Sequence, residues 1–325
     1  MTGLKAGAVT GEQQRNLLPW IALISVWFLW GSTYLGIRYA VQTIPPLLMS
    51  GSRYFAAGLI LLTVLTIKDR RLPTAPVRQI VSTAIAGALL LLGGNGLLSV
   101  GEQHLQSGVA ALLVATVPLT MIVESAILSR HRIAGRSIAA VMLGTAGVVI
   151  LVGAPGSTIN YSSAAIVFVG ALFWATGSVY LSRADTPASP ILATALEMTF
   201  GGALLLLVGT ATGELGRLHL STISTQSTLG WLWLIGPGAL LGFTAYTYVL
   251  QRLPTSTVAT YAYINPVVAV VLGSMLGDQP LTIGLLLGGA AVVGAVAVSL
   301  VGRRSPVVED EVDEPVAGEC VAEIA

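Results

Sequence analysis

Residues 107–127, SGVAALLVATVPLTMIVESAI, decide how this chain is read. An α-helix needs about 20 mostly apolar residues to cross the hydrocarbon of a bilayer, and this stretch supplies them. It holds one charge, Glu124, and a proline near its centre, Pro118. Arg130, His131, Arg132 and Arg136 follow it. An apolar run that ends on a basic cluster reads as a membrane helix whose far end lies on the cytoplasmic side.

Working outward, nine further segments have the same character, at 19–39, 46–67, 79–98, 136–153, 163–182, 190–210, 228–249, 256–276 and 282–301. Segments nine and ten are divided only by Gly277–Leu281, where Asp278 and Pro280 supply a charge and a helix breaker. The composition agrees: 54% of the 325 residues are hydrophobic, 10% are charged and the mean hydropathy is +0.83. A globular domain carries about 25% charged residues. The expected fold is an all-α integral membrane protein of ten transmembrane helices, with the lipid bilayer as its principal partner.

The loops fix an orientation. With the N-terminus inside, Lys5, Arg15, Lys68, Arg70, Arg71, Arg78, Arg130, Arg132, Arg136, Arg183, Arg252, Arg303 and Arg304 fall on the inner side. Arg38 and Arg217 fall on the outer side, and Arg53 lies within segment two. This is a strong positive-inside bias, and it requires an even number of spans. The expectation is a multi-pass protein of the cytoplasmic (inner or plasma) membrane with both termini in the cytoplasm. Residues 1–18 form a polar N-terminal segment that leads into a membrane helix rather than a cleaved signal peptide. Residues 303–325 carry seven acids and the single cysteine, Cys320, and read as a disordered acidic cytoplasmic tail.

The chain also repeats itself. Phe28 precedes Arg38 by ten residues in segment one, and Phe173 precedes Arg183 by ten in segment six. WGSTYLG (Trp30–Gly36) and ATGSVYL (Ala175–Leu181) lie between them. Pro118 and Pro266 sit mid-segment in VATVPLTMIV and YAYINPVVAV. Two halves of five helices each, 19–153 and 163–302, must enter the membrane from opposite sides because five is odd. The loops invert as well: a basic cluster follows segment four, and only Asp278 follows segment nine. Inverted five-helix repeats are a transporter architecture with the substrate site at the repeat interface near the midplane.

WGSTY at Trp30–Tyr34, PPLLMSGSRYFAAG at Pro45–Gly58, GNG at Gly94–Gly96, VATVPL at Val114–Leu119 and TYAYINPVVAVVLG at Thr260–Gly273 resemble the EamA family of the drug/metabolite transporter superfamily, most closely its YedA-like members. The resemblance runs from about residue 19 to 302. It implies a ten-helix basket around a central cavity, and export of small metabolites or drugs across the inner membrane. Two places depart from the pattern. Many members carry Glu after helices four and nine, where this chain has Arg130–Arg132 and Asp278, and Glu124 stands where an uncharged residue is expected.

Charged groups inside a membrane are costly, so each is a functional candidate. Glu197, about a third of the way into segment seven, is the first candidate for carrying a coupling proton; a structural hydrogen bond is the competing role. Glu124 is the second, and can instead pair with Arg130 or Arg132. Arg53 can snorkel to the headgroups, pair with an acid or bind an anionic substrate group. Glu102, near His104 beyond segment three, reads as a solvated loop acid. Candidates for lining a cavity are Trp30, Ser32, Tyr34, Asn95, Pro118, Trp174, Ser178, Tyr261, Tyr263, Asn265 and Pro266. Tyr261 and Asn265 share a helical face beside a proline that frees a backbone carbonyl. The competing reading makes the aromatics interface anchors and the Ser and Asn side chains links between helices. Gly238-x-x-x-Gly242 and Gly284-x-x-x-Gly288 permit close helix contacts, within a monomer or in a weak homodimer.

Other classes of function lack their residues. There is no Gly-Lys dipeptide and hence no P-loop. His104, His131 and His219 have no ligand partner at helical spacing, so neither a metal nor a cofactor is expected, and an integral membrane enzyme is a remote alternative. A net charge of +1 gives no case for nucleic acid. A secondary transporter of a small molecule by alternating access, with protons as candidate coupling ion, is the leading expectation. A uniporter, an exchanger or a channel-like facilitator without ion coupling is its alternative.

Overall fold

A computed structural model describes residues 11–130, 133, 135–153, 159–250, 252–253, 255–258, 260–276 and 280–301. The regular elements among them are all helical. That is what lipid demands, since a helix satisfies its backbone groups within itself. In chain order the main helices are α1 (Gly11–Ala40), α2 (Pro46–Asp69), α3 (Val77–Gly101), α4 (Ser107–Ser129), α5 (Gly135–Gly153), α6 (Tyr161–Leu181), α7 (Pro190–Ala211), α8 (Thr225–Val249), α9 (Tyr261–Met275, preceded by the turn Thr255–Val258) and α10 (Ile283–Val301). Seven of these are long and apolar enough to cross a membrane, and α5, α9 and α10 are shorter apolar helices. The acidic tail, Cys320, His131, Arg132 and Asp278 lie outside the described residues.

The helix starts follow from their sequences. Asn160, Ser189 and Ser224 cap α6, α7 and α8 by accepting an amide N–H three residues on. Before α2 stands Pro45, which offers no such oxygen. Glu214, in a helical turn beyond α7, does the work from the other half: its Oε2 accepts from the amides of Leu47 and Leu48, both at 3.0 Å, and the residue is buried.

Packing repeats with the halves exchanged. Helix α2 lies against α7 and α5 against α10. The contact of α1 with α9 is matched by that of α6 with α4, and α1 on α8 by α6 on α3. Two departures from α-helix recur too. A π-helical stretch, Ala88–Gly96, occupies the middle of α3, and another, Leu234–Leu241, the middle of α8. Helix α4 is interrupted at Ala115–Thr116, and a turn at Thr260 separates Thr255–Val258 from α9.

The interruption corrects the expectation for Pro118. It stands in the first turn of the second half of α4, where its missing N–H costs no bond, rather than inside a continuous helix. The carbonyl of Leu113 accepts from Thr116 Oγ1 at 2.7 Å. Pro266 does lie inside α9.

The two ends of the bundle differ. Arg70, Arg71, Arg78, Arg130, Arg136, Arg183 and Arg252 are all exposed at one end, hereafter the basic end. The main core seals the other: Ile37, Met49, Leu98, Leu105, Val109, Leu112, Leu113 and Val167 are buried together there. The flanks carry exposed apolar side chains, including Trp20, Ile24 and Phe28 of α1 and Leu286 and Leu287 of α10, as a lipid-facing surface requires. The repeat landmarks Phe28 and Phe173 are both on this surface.

Candidate functional site

A cavity of about 460 Å³ lies between the halves. Its lining reaches Leu181 and Pro190, at the helix ends nearest the basic end, and runs inward to Ile37, Leu98 and Ala111 beneath the sealing core. The cavity is therefore open toward the basic end and blind at the other. Its size suits a small organic molecule.

Most of the sequence candidates meet there. Trp30, Tyr34, Arg53, Asn95, Pro118, Trp174, Ser178, Glu197, Tyr261, Asn265 and Pro266 all line the cavity. Three do not. Ser32 is buried beside it, donates to Leu29 O and accepts from Trp233 Nε1 at 3.0 Å. Tyr263 packs against Leu119, Ala140, Ala295 and Val296. Its neighbour two positions back, Tyr261, lines the cavity, and two residues rotate a helix by about 200°, so one of the pair faces away. Glu124 accepts from Thr176 Oγ1 at 3.0 Å, linking α4 to α6; of the partners expected for it, Arg130 makes no ion pair with it among the described residues and Arg132 lies outside them. Glu102 is also not the solvated loop acid expected of it: it is fully buried, at the sealed end. Arg38 reaches across to that loop and donates to the carbonyls of Glu102 at 2.9 Å and Gln103 at 2.8 Å.

Arg53 departs furthest from the snorkelling expectation. It is 3% exposed and turned inward. One guanidinium nitrogen, Nη2, donates to Tyr54 Oη and to Asn95 Oδ1, both at 2.8 Å. The guanidinium carbon lies 4.4 Å from the centre of the Tyr54 ring, a cation–π contact. Asn95 is carried there by the π-helical stretch of α3, so the irregular backbone places a polar side chain on the cavity wall. Glu197 lies on the facing helix α7, nearer the basic end. Its carboxylate makes no hydrogen bond or ion pair among the described residues.

Aromatic rings form a third part of the wall. Trp30 lies 5.3 Å from Phe243, 4.9 Å from Tyr246 and 5.2 Å from Tyr261, centre to centre. Trp30 Nε1 donates to Gly238 O in the π-helical stretch of α8 at 3.2 Å. The Asn265 amide nitrogen, in the orientation that satisfies it, donates to Trp27 O at 3.1 Å and Tyr261 O at 3.2 Å. Asn265 thus joins α9 to α1 at the cavity edge. Phe243 and Tyr246 were not singled out in the sequence; their spacing of three, about two turns past Pro237, was the available signal.

The model of the EamA-like transporter family matches residues 18–153 and again 162–301. The chain belongs to the EamA-like transporter family. Among EamA relatives, an uncharacterized inner membrane transporter, YedA of Escherichia coli K12, is 35% identical over 312 residues, covering 92% of this chain and 99% of the relative. An uncharacterized transporter, YvbV of Bacillus subtilis, is 27% identical over 85% of this chain and 89% of its own. The protein PecM of Dickeya dadantii is 26% identical over 86% and 92%. A solved crystal structure superposes with a TM-score of 0.58 at 18% identity, over 90% of this chain and 99% of that one, a likeness of fold. Two EamA matches divide the chain into two repeats, and relatives named as transporters make it a membrane transporter.

Proposed function

We propose that this chain is a secondary transporter that exports a small metabolite or drug across the cytoplasmic membrane by alternating access. Ten spans form two halves, 19–153 and 163–302, inserted in opposite senses. The exchanged packing and the paired helix irregularities support this reading. The basic end is cytoplasmic by the positive-inside rule, so both termini are cytoplasmic and the cavity faces the cytoplasm. A cavity open to the cytoplasm and blind to the outside is the loading state of an exporter.

The observation that carries the proposal is the cavity itself: polar and charged groups from both halves meet in one apolar pocket at the repeat interface, open at one end only. Glu197 is the candidate proton carrier, because an unpartnered carboxylate in such a wall can load and release a proton. The test is counterflow. Proteoliposomes loaded with a metabolite extract should exchange at least one of its compounds faster when the same compound is present on the other side. Flux without such trans-stimulation contradicts a carrier. A reporter active only outside the membrane, fused after Arg304, should be silent, whereas one in the 154–162 loop should be active.

A further inference from the structure

We propose that the blind end of the cavity is an oxyanion subsite and that Arg53 selects an anionic substrate. This rests on the transport reading, and narrows it to organic acids with a carboxylate or phosphate head and an apolar, ring-sized body. An arginine in a membrane interior is retained only where its charge is answered. Here the answers are a phenol, an amide oxygen and a ring face, all of them neutral. No acid pairs with Arg53 among the described residues, and its Nε is buried without a hydrogen-bond partner. Tyr54 and Asn95 take both hydrogens of Nη2, so the guanidinium is fixed in place and Nη1 remains to donate to a carboxylate or phosphate oxygen.

The surroundings favour an anion over a cation. Tyr261 stands edge-on to Trp30 and Tyr246, at 86° and 89°, while Trp30 and Tyr246 are tilted by 39°. With centres 4.9, 5.2 and 5.8 Å apart the three rings pack directly on one another as an apolar wall and leave no space between them for an ammonium. Glu197, the acid of the lining, stands nearer the mouth. A substrate entering from the basic end would lay its body on the ring wall and its head on Arg53.

The test uses four probes of one shape: phenylacetate, phenyl phosphate, phenylacetamide and phenethylamine. Binding to the purified protein is read from tryptophan fluorescence, since Trp30 and Trp174 line the cavity, and exchange is read in proteoliposomes. The expected result is that the wild type binds and exchanges one or both anions, and that Arg53→Gln lowers the affinity roughly ten- to a hundredfold. The better of the two anions tells carboxylate from phosphate. Asn95→Asp guards against a misfolded Arg53→Gln: it places a carboxylate on the guanidinium and should weaken the anions similarly. Anions that bind without exchanging would leave the subsite standing and remove the transport reading. Exchange that prefers the amine or the amide, or anion affinity unchanged in both variants, would overturn the subsite and leave the transport reading intact. Binding of no probe by the wild type at millimolar concentration would also overturn the subsite.

Discussion

Helices α2 and α7 are the same element placed twice, and they differ at one decisive position. Each begins on a proline, Pro46 and Pro190, and each has a glycine twelve residues on, Gly58 and Gly202. Where they cross, a Cβ on Gly58 would strike Thr199 and Ala195, and a Cβ on Gly202 would strike Phe55 and Gly51. Thr199 and Ala195 stand 144 residues after Phe55 and Gly51, so the contacts are one set with the halves exchanged. Seven residues into the helix, however, α2 carries Arg53 and α7 carries Glu197. The close crossing constrains both copies alike, because two backbones can approach only over small residues. The cavity imposes no such symmetry, so its charges were free to diverge.

The largest effect should come from breaking the part that is shared. Gly58→Leu or Gly202→Leu puts a side chain against the partner helix's backbone and should cost about 3 kcal/mol or more, enough to abolish monodisperse protein after detergent extraction. A variant that extracts and unfolds like the wild type would show that the crossing is looser than described.

The ends of the bundle give the next test. Glu214 holds the start of α2 at the sealed end, while Asp69, 145 residues earlier and the last residue of α2, is exposed at the basic end. Glu214→Gln replaces two charge-assisted bonds with weaker ones, a loss of about 1–3 kcal/mol. In a Cys320→Ser background, a cysteine at the buried Ser99 should then react faster with an impermeant maleimide added outside. If the repeat exchanges roles between states, Asp69 takes up the start of α7 in the outward-facing form. Asp69→Asn should then slow that labelling, and equal labelling in both variants would break the symmetry argument.

Smaller changes are expected where the structure moves a candidate off the cavity wall. Asn265→Ala should lower transport several-fold while the protein still inserts, because it removes a link from α9 to α1 as well as a wall group. Tyr263→Phe and Ser32→Ala should each change exchange by less than about twofold, since uncharged groups away from the wall contribute little to binding. A larger loss from either than from Asn265→Ala would move the substrate path.

The apolar segments, the charge bias and the Phe28/Phe173 echo were legible because hydropathy and loop charge act locally; the Pro118/Pro266 echo was not a structural one, since Pro118 begins a helix and Pro266 lies inside one. Most of the cavity wall was legible too, because polar and aromatic residues in apolar helices have few places to go. What stayed hidden depends on partners far away in sequence. The direction of Arg53 is set by Asn95, 42 residues on, and the burial of Glu214 by amides at Leu47 and Leu48, 166 or more residues back. Glu102 sat beyond an apolar segment near a histidine, which reads as a loop, and only the fold brings Arg38 over it. The π-helical stretches left a faint mark, Gly94-Asn95-Gly96 in one copy and Pro237 in the other.

The divergence of Arg53 from Glu197 is the centre of this account, and one paired measurement reaches it. Substrate exchange and accumulation under an imposed pH gradient should be recorded in proteoliposomes for the wild type, Arg53→Gln and Glu197→Gln. Arg53→Gln should lose both, because the substrate is no longer held. Glu197→Gln should keep exchange and lose the response to the gradient, because it preserves shape and cannot carry a proton. A wild type that ignores the gradient, or two variants that fail in the same way, would contradict the separate roles assigned to the two charges.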